Sequence, residues 1–227
     1  MKTLIILCIL SVSFLPLSIS AFRPHIRLPT QEDYPGNQPV LDVDGDPLIY
    51  GNKYYASPNF NHILGVTGGI SMDTYLIQGT GQSTCPNAVV LNISVVSRHT
   101  FAEPLPIVFY PLGLQEVKES LPLNAAIYLE ESDPCANETV WKLVERSGKP
   151  VIGTGGKIGD QDDVSNWFRI EKHSDDYNNN GYVFTFWPTL CPHCSSKYWR
   201  IGTVDEQGRQ LGINDKNPYP FRFLKAK

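Results

Sequence analysis

A surplus of positive charge is missing from this 227-residue sequence: 19 Lys and Arg face 23 Asp and Glu, for a formal charge of -4. That balance offers no counterion release at a phosphate backbone and no pull toward anionic lipid, so neither nucleic acid nor a membrane is an expected partner. Long apolar runs are missing too, since beyond Ala21 no uninterrupted window reaches the roughly 18 residues that a membrane helix needs. Helical periodicity is equally scarce. No window of about eleven residues keeps an i, i+3, i+4, i+7 apolar stripe free of Pro and Gly, so no amphipathic helix is expected. Cysteine is sparse as well, at five residues. What is present is a 41% apolar, 11% aromatic chain, enough to bury a sizeable core. Its 18 Gly and 18 Pro are spread rather than clustered, which excludes collagen and low-complexity linkers and implies many turns.

The amino terminus sets the compartment. Met1-Lys2, the apolar stretch Leu4 to Leu17 and the small residues Ser18 to Ala21 read as charged region, short hydrophobic region and cleavage site. Residues 1–21 are therefore expected to be a signal peptide, 22–38 a polar, Pro-bearing flexible leader, and 39–227 the folded domain. Entry into the secretory pathway, with a vacuolar or extracellular destination, follows.

An oxidising route changes how cysteine is read. Cys8 leaves with the signal, and Cys85, Cys135, Cys191 and Cys194 remain as an even set, so two disulfides are expected. Four cysteines allow three pairings. Cys191 and Cys194 flank only Pro192-His193, so local pairing competes well and leaves Cys85 with Cys135. Asn92-Ile93-Ser94 and Asn137-Glu138-Thr139 are acceptor sequons for N-glycosylation in the same setting.

The body of the chain reads as all-β. Apolar, β-branched and aromatic segments recur between turn residues: 72–77, 88–93, 107–110, 125–129, 139–144, 167–170, 182–187, 198–204 and 219–223. Aromatic-rich strands at intervals of about sixty residues are compatible with a degenerate three-fold architecture, although no strong internal repeat is visible.

Catalytic and cofactor signatures are wanting. In Gly153-Thr154-Gly155-Gly156-Lys157-Ile158-Gly159, Ile158 stands where a dinucleotide fingerprint needs its third Gly. The same residue stands where a P-loop needs Ser or Thr, so a Gly-rich turn is expected. Cys191-Pro192-His193-Cys194 lacks the second ligand pair of a zinc site and the βαβ setting of a redox motif. Asp42, Asp44 and Asp46 lack the Gly and Glu positions of a calcium loop. No H-E-x-x-H or G-x-S-x-G occurs. The expectation is a protein that is not an enzyme and that takes no cofactor and no metal.

One stretch carries a family resemblance. Val40-Leu41-Asp42-Val43-Asp44-Gly45-Asp46-Pro47-Leu48, followed after five residues by Tyr54-Tyr55, resembles the amino-terminal signature of the plant Kunitz (soybean trypsin inhibitor) family. It departs at Ala56, where the signature has a larger aliphatic residue. Thr84-Cys85-Pro86, Pro106 to Pro111, Cys135 with Trp141, Trp167 to Glu171 and Phe221-Arg222-Phe223 follow in the family's order. The similarity covers about Pro39 to Leu224. It implies a β-trefoil of twelve strands, a six-stranded barrel capped by three hairpins. Arg23 to Thr30 also resembles the vacuolar sorting propeptide of storage members, with Pro24-His25 in place of the Asn-Pro part of that signal.

The resemblance further implies a function. Family inhibitors present an exposed, substrate-like bend to a peptidase, and by position after Pro106 to Pro111 that bend is Pro111, Leu112, Gly113, Leu114, Gln115 and Glu116, with Val117 beyond. Leu114 is the residue expected to enter the specificity pocket. No Arg or Lys occurs from Thr100 to Val117, so the cation that a trypsin-type pocket pairs with is absent and trypsin is a disfavoured target. The implied partner is a serine peptidase first, a cysteine or aspartic peptidase second, bound by a monomer. Tyr50 stands where many inhibitors carry an Asn that braces the bend, which implies a softer bend. Trp187 and Tyr198 fall where relatives place a second disulfide. The alternative is a non-inhibitory storage or taste-modifying protein on the same scaffold.

Overall fold

The computed structural model describes residues 38–59, 66–74, 85–95, 104–173, 181–188 and 198–227. The expected signal peptide, nearly all of the leader, and Cys191 with Cys194 lie outside the described residues. Twelve strands follow one another: β1 Lys53–Pro58, β2 Val66–Asp73, β3 Ala88–Val95, β4 Ile107–Pro111, β5 Leu123–Ile127, β6 Lys142–Arg146, β7 Lys149–Gly153, β8 Phe168–His173, β9 Gly181–Phe186, β10 Trp199–Thr203, β11 Leu211–Ile213 and β12 Phe221–Lys225. Among the described residues, two three-residue 3-10 turns, Ala136–Glu138 and Val164–Asn166, interrupt them. No described helix is long and apolar enough to cross a membrane.

Six strands close on themselves. β1 pairs with β4, β4 with β5, β5 with β8, β8 with β9, β9 with β12 and β12 with β1, all antiparallel. The hairpins β2–β3, β6–β7 and β10–β11 cap one end of this barrel. Each hairpin hands over to the next through a single bridge: Ala88↔Gly153, Val151↔Gly212 and Gln210↔Val90. Reading round that ring, Ala88, Val151 and Gln210 are equivalent positions spaced by about sixty residues, as a three-fold architecture requires. Chain direction then places the β4–β5 connection at the barrel's other, uncapped end.

The core explains the alternation in the strands. In β1, Tyr54, Ala56 and Pro58 face inward and the residues between them do not. Phe109 of β4, Phe184 of β9 and Phe223 of β12 form a triangle inside the barrel, with ring centroids 6.2, 6.0 and 5.5 Å apart. Trp141 sits 5.1 Å from Phe184 and 5.9 Å from Phe168. Burying such side chains stabilises the fold by about 1.5–3 kcal/mol each.

Most expected strands are found, with shifted ends. β1 and the cap strands β7 and β11 are not among the expected segments; of the segment expected at 72–77, residues 72 and 73 lie in β2 and 75–77 lie outside the described residues. β7 and β11 are short and carry Pro150, Gly153 and Gly212, residues of low strand propensity. Glycine is needed there because the hairpins approach closely: a Cβ on Gly212 would lie 2.5 Å from the Pro150 carbonyl oxygen. The Gly-rich segment after β7 is a connection, with the Gly159 N–H donating to Asn124 Oδ1 at 2.7 Å. Asp42 organises a tight turn, its Oδ1 accepting from the N–H groups of Asp44 and Asp46, both at 3.0 Å. Among the described residues no cluster of His, Cys, Asp or Glu could hold a metal ion.

Two cross-links supplement the core. Cys85 and Cys135 form a disulfide with Cα atoms 5.5 Å apart, joining the start of β3 to the β5–β6 connection. At the β9–β10 end, Trp187 stacks on Tyr198 with centroids 6.1 Å apart and planes at 18°. Arg169 is 3% exposed, and its guanidinium lies over the Trp187 ring, 3.4 Å from the centroid. An aromatic stack thus stands where the resemblance places a second disulfide.

Candidate functional site

Between β4 and β5 the chain makes a bend, residues 112–122, at the uncapped end of the barrel. Its neck is closed by the Leu112 N–H donating to the Pro122 carbonyl at 3.0 Å. Its far flank is stitched to the segment preceding β1. The Tyr50 N–H donates to the Gln115 carbonyl at 2.7 Å, Ile49 bridges Glu116, and the Val117 N–H donates to the Leu48 carbonyl at 2.8 Å. Val117 in turn accepts from the Val40 N–H at 2.9 Å, and Pro39 bridges Lys118.

Within that frame the six expected residues differ. Pro111 is buried at the end of β4, Leu112, Leu114 and Glu116 are half-buried, and Gly113 and Gln115 are exposed. The apex is Gly113, whose φ of 71° lies in the left-handed region that glycine enters without a Cβ clash. Leu114 therefore stands between the two most accessible residues rather than at the outermost point. Tyr50, 45% exposed, meets Tyr110 edge-on at 5.4 Å. Its main-chain N–H is the group that donates to the Gln115 carbonyl.

A second support escapes sequence reading. Ser120 sits at a φ of 63°, held by its N–H donating to the Ile170 carbonyl at 3.0 Å and by its hydroxyl donating to Glu171 Oε2 at 2.5 Å. The partners are about fifty residues apart and belong to no motif, so only the barrel closure between β5 and β8 brings them together. Burial raises the Glu171 carboxyl above the ordinary glutamate range, with the Ser120 hydrogen bond and the Arg169 charge opposing and the Glu119 charge adding to it. Burial also raises Glu119, against the pull of Lys172.

A carboxyl raised in the folded state stabilises the fold most when protonated. Its contribution is complete below the ordinary glutamate value and is lost as pH rises through the folded value. Urea unfolding followed between about pH 4 and 7 should therefore show wild-type stability falling relative to Glu171→Gln as pH rises. Parallel curves for the two proteins would show that Glu171 is not strained by burial.

The remaining candidates separate by accessibility. Asn137 is exposed on its 3-10 turn. Asn92 is 3% exposed, with Oδ1 accepting from Arg209 Nη2 at 2.9 Å.

A six-stranded barrel closed by three hairpins, with a short bend tied down on both flanks, defines a β-trefoil with a presented loop. Residues 40–225 match the Kunitz legume family, described as trypsin and protease inhibitor. The chain belongs to this plant family. It is 30% identical to miraculin of Synsepalum dulcificum over 201 residues, covering 83% of each chain. Among solved structures it is similar to the Kunitz-type cysteine protease inhibitor PCPI-3 from potato, with a TM-score of 0.61, 30% identity and coverage of 84% of this chain and 98% of that one. It is also similar to soybean trypsin inhibitor in complex with porcine pancreatic trypsin, with a TM-score of 0.59, 26% identity and coverage of 84% and 100%.

Proposed function

We propose that this protein is a non-catalytic peptidase inhibitor of the secretory pathway, vacuolar or extracellular, that acts as a monomer through the bend Leu112 to Glu116. The observation that carries the reading is the double anchoring of the bend. A peptide held by main-chain hydrogen bonds on both flanks has lost its ordering entropy during folding and need not lose it again on binding. The same anchoring keeps the two sides of a cleaved bond together, so religation competes with release. Inhibitors among the similar proteins support this reading, including one solved on trypsin.

The side chains select the target. Leu112 and Leu114 suit an apolar specificity pocket, and the run without Arg or Lys up to Val117 disfavours trypsin. We expect measurable inhibition in a panel of chymotrypsin, elastase, trypsin, papain and an aspartic peptidase, with a serine peptidase of apolar specificity first. Leu114→Arg should then bind trypsin at least about 10-fold more tightly, because a close charge pair in such a pocket is worth about 1.5 kcal/mol or more. Selectivity unmoved by that change would place the contact elsewhere.

A second reading is favoured by one observation. The positive φ of Gly113 breaks the extended backbone that a substrate-like segment needs, and this suits a storage or taste-modifying protein on the same scaffold. Absence of inhibition at micromolar concentration across the panel would decide for it. We assign N-glycosylation to the accessible Asn137 in either case.

A further inference from the structure

The capped end of the barrel, opposite the bend, holds a cavity of about 280 Å³ between the three hairpins. Its floor is the pseudo-three-fold axis, where Ala88, Val151 and Gln210 meet. Gln210 ties the floor shut: its Nε2 lies within hydrogen-bond distance of the Val89, Ile152 and Leu211 carbonyls, one from each hairpin, at 3.1, 3.0 and 3.0 Å. The wall carries three cations against two carboxylates. β6 and β7 are joined by Ser147 and Gly148, with φ of 49° and 72°, a two-residue turn that sets Arg146 directly opposite Lys149.

Like charges placed directly opposite on a hairpin destabilise it, so this pairing is a local cost carried at the mouth of a cavity. Arg209 adds a third cation from the third hairpin. The two carboxylates in the lining are already engaged. Asp205 Oδ1 accepts from the N–H groups of Arg209 and Gln210 at 2.5 and 2.9 Å. Asp73 accepts from the Thr74 N–H at 2.8 Å and from Arg209 Nη2 at 3.0 Å. Lys149 Nζ donates to the Val204 carbonyl at 3.2 Å, and Arg146 Nη2 donates to the Asn87 carbonyl. The Val204 carbonyl is a neutral acceptor that Lys149 can exchange for an anion, which forms hydrogen bonds about twice as strong.

We propose that this cavity is a binding site for a small multiply charged oxyanion, a polycarboxylate or a phosphate ester, held by Arg146 and Lys149 with Arg209 behind them. The hydroxyl-bearing and amide side chains Thr74, Ser147 and Gln207 on the lining would take the neutral polar groups of such a solute. The site shares no residue with the β4–β5 bend and does not depend on peptidase inhibition.

The test is titration of the full protein with citrate and, separately, inorganic phosphate, against sodium chloride of equal ionic strength. Binding is followed by calorimetry and by two-dimensional amide spectra. Saturable binding of citrate, phosphate or both is expected, and which of them binds distinguishes the carboxylate from the phosphate source. Shifts should be confined to the amides of residues 73–74, 88–90, 146–151 and 204–210 and spare 112–116. Arg146→Gln with Lys149→Gln should weaken binding at least about 10-fold, as loss of close charge partners does. Lys149→Gln alone, at an exposed side chain, gives the same direction should the pair fail to fold. No saturable binding beyond the chloride control, or equal affinity in a folded variant, would overturn the proposal.

Discussion

Phe184→Ala should lower stability by about 3–5 kcal/mol, the range for truncating a buried aromatic residue to Ala. Phe184 is 1% exposed and touches four other rings: Phe109, Trp141, Phe221 and Phe223, with centroids 5.1 to 6.2 Å away. These rings come from β4, β12 and the β5–β6 connection, so the cavity left behind would lie where all three thirds of the chain meet. Collapse around it is hindered because Phe109, Phe221 and Phe223 sit on strands of a closed barrel and Trp141 on the connection that leads into β6. Natural domains keep only about 5–15 kcal/mol in hand, so the loss should show as a large fall in the urea midpoint and a lowered Tm. Phe184→Leu, which conserves more volume, should recover a substantial part of the loss. A midpoint unchanged by the alanine variant would mean that the aromatic triangle does not hold the barrel.

The second large effect concerns the Cys85–Cys135 cross-link. Opening it by a paired change to Ser should cost about 4 kcal/mol in the chain-entropy treatment of a loop of about fifty residues. The bond ties the first hairpin to the connection that carries Trp141 into the core, so its loss frees two of the three thirds relative to each other. Thermal unfolding with and without a thiol reductant checks this: wild type under reductant should approach the Ser variant, and the variant, which keeps Cys191 and Cys194, should respond far less. Equal stability of oxidised wild type and variant would show that packing alone fixes that hairpin.

The fold was legible where apolar, β-branched and aromatic residues run together between turn residues. Ile107 to Tyr110, Tyr182 to Phe186 and the closing Phe221 to Phe223 announce barrel strands because Ile107, Phe109, Phe184, Phe186, Phe221 and Phe223 all enter the core. β7 and β11 were illegible because their pairing is imposed by neighbouring hairpins, and the Gly and Pro that permit close approach are the residues that signal turns in a sequence. The bend was located by family resemblance, not by any pattern of its own. What stitches it down, Leu48 to Tyr50 on one side and Ser120 with Glu171 on the other, consists of main-chain bonds and one long-range side-chain contact. Neither leaves a periodicity or a spacing to be read. The stacking of Trp187 on Tyr198 was visible only as a departure from the family's cysteines.

Gln210 has one consequence for how such a chain can vary. An amide nitrogen carries two protons, yet three equivalent carbonyls crowd round it, and only a single side chain fits on the line where they converge. Copying that glutamine into the matching places, Ala88 and Val151, would jam three amides into one spot. Three glutamines are thus excluded at the hub of the molecule, and identical repeats could meet there only by carrying a smaller residue in all three places.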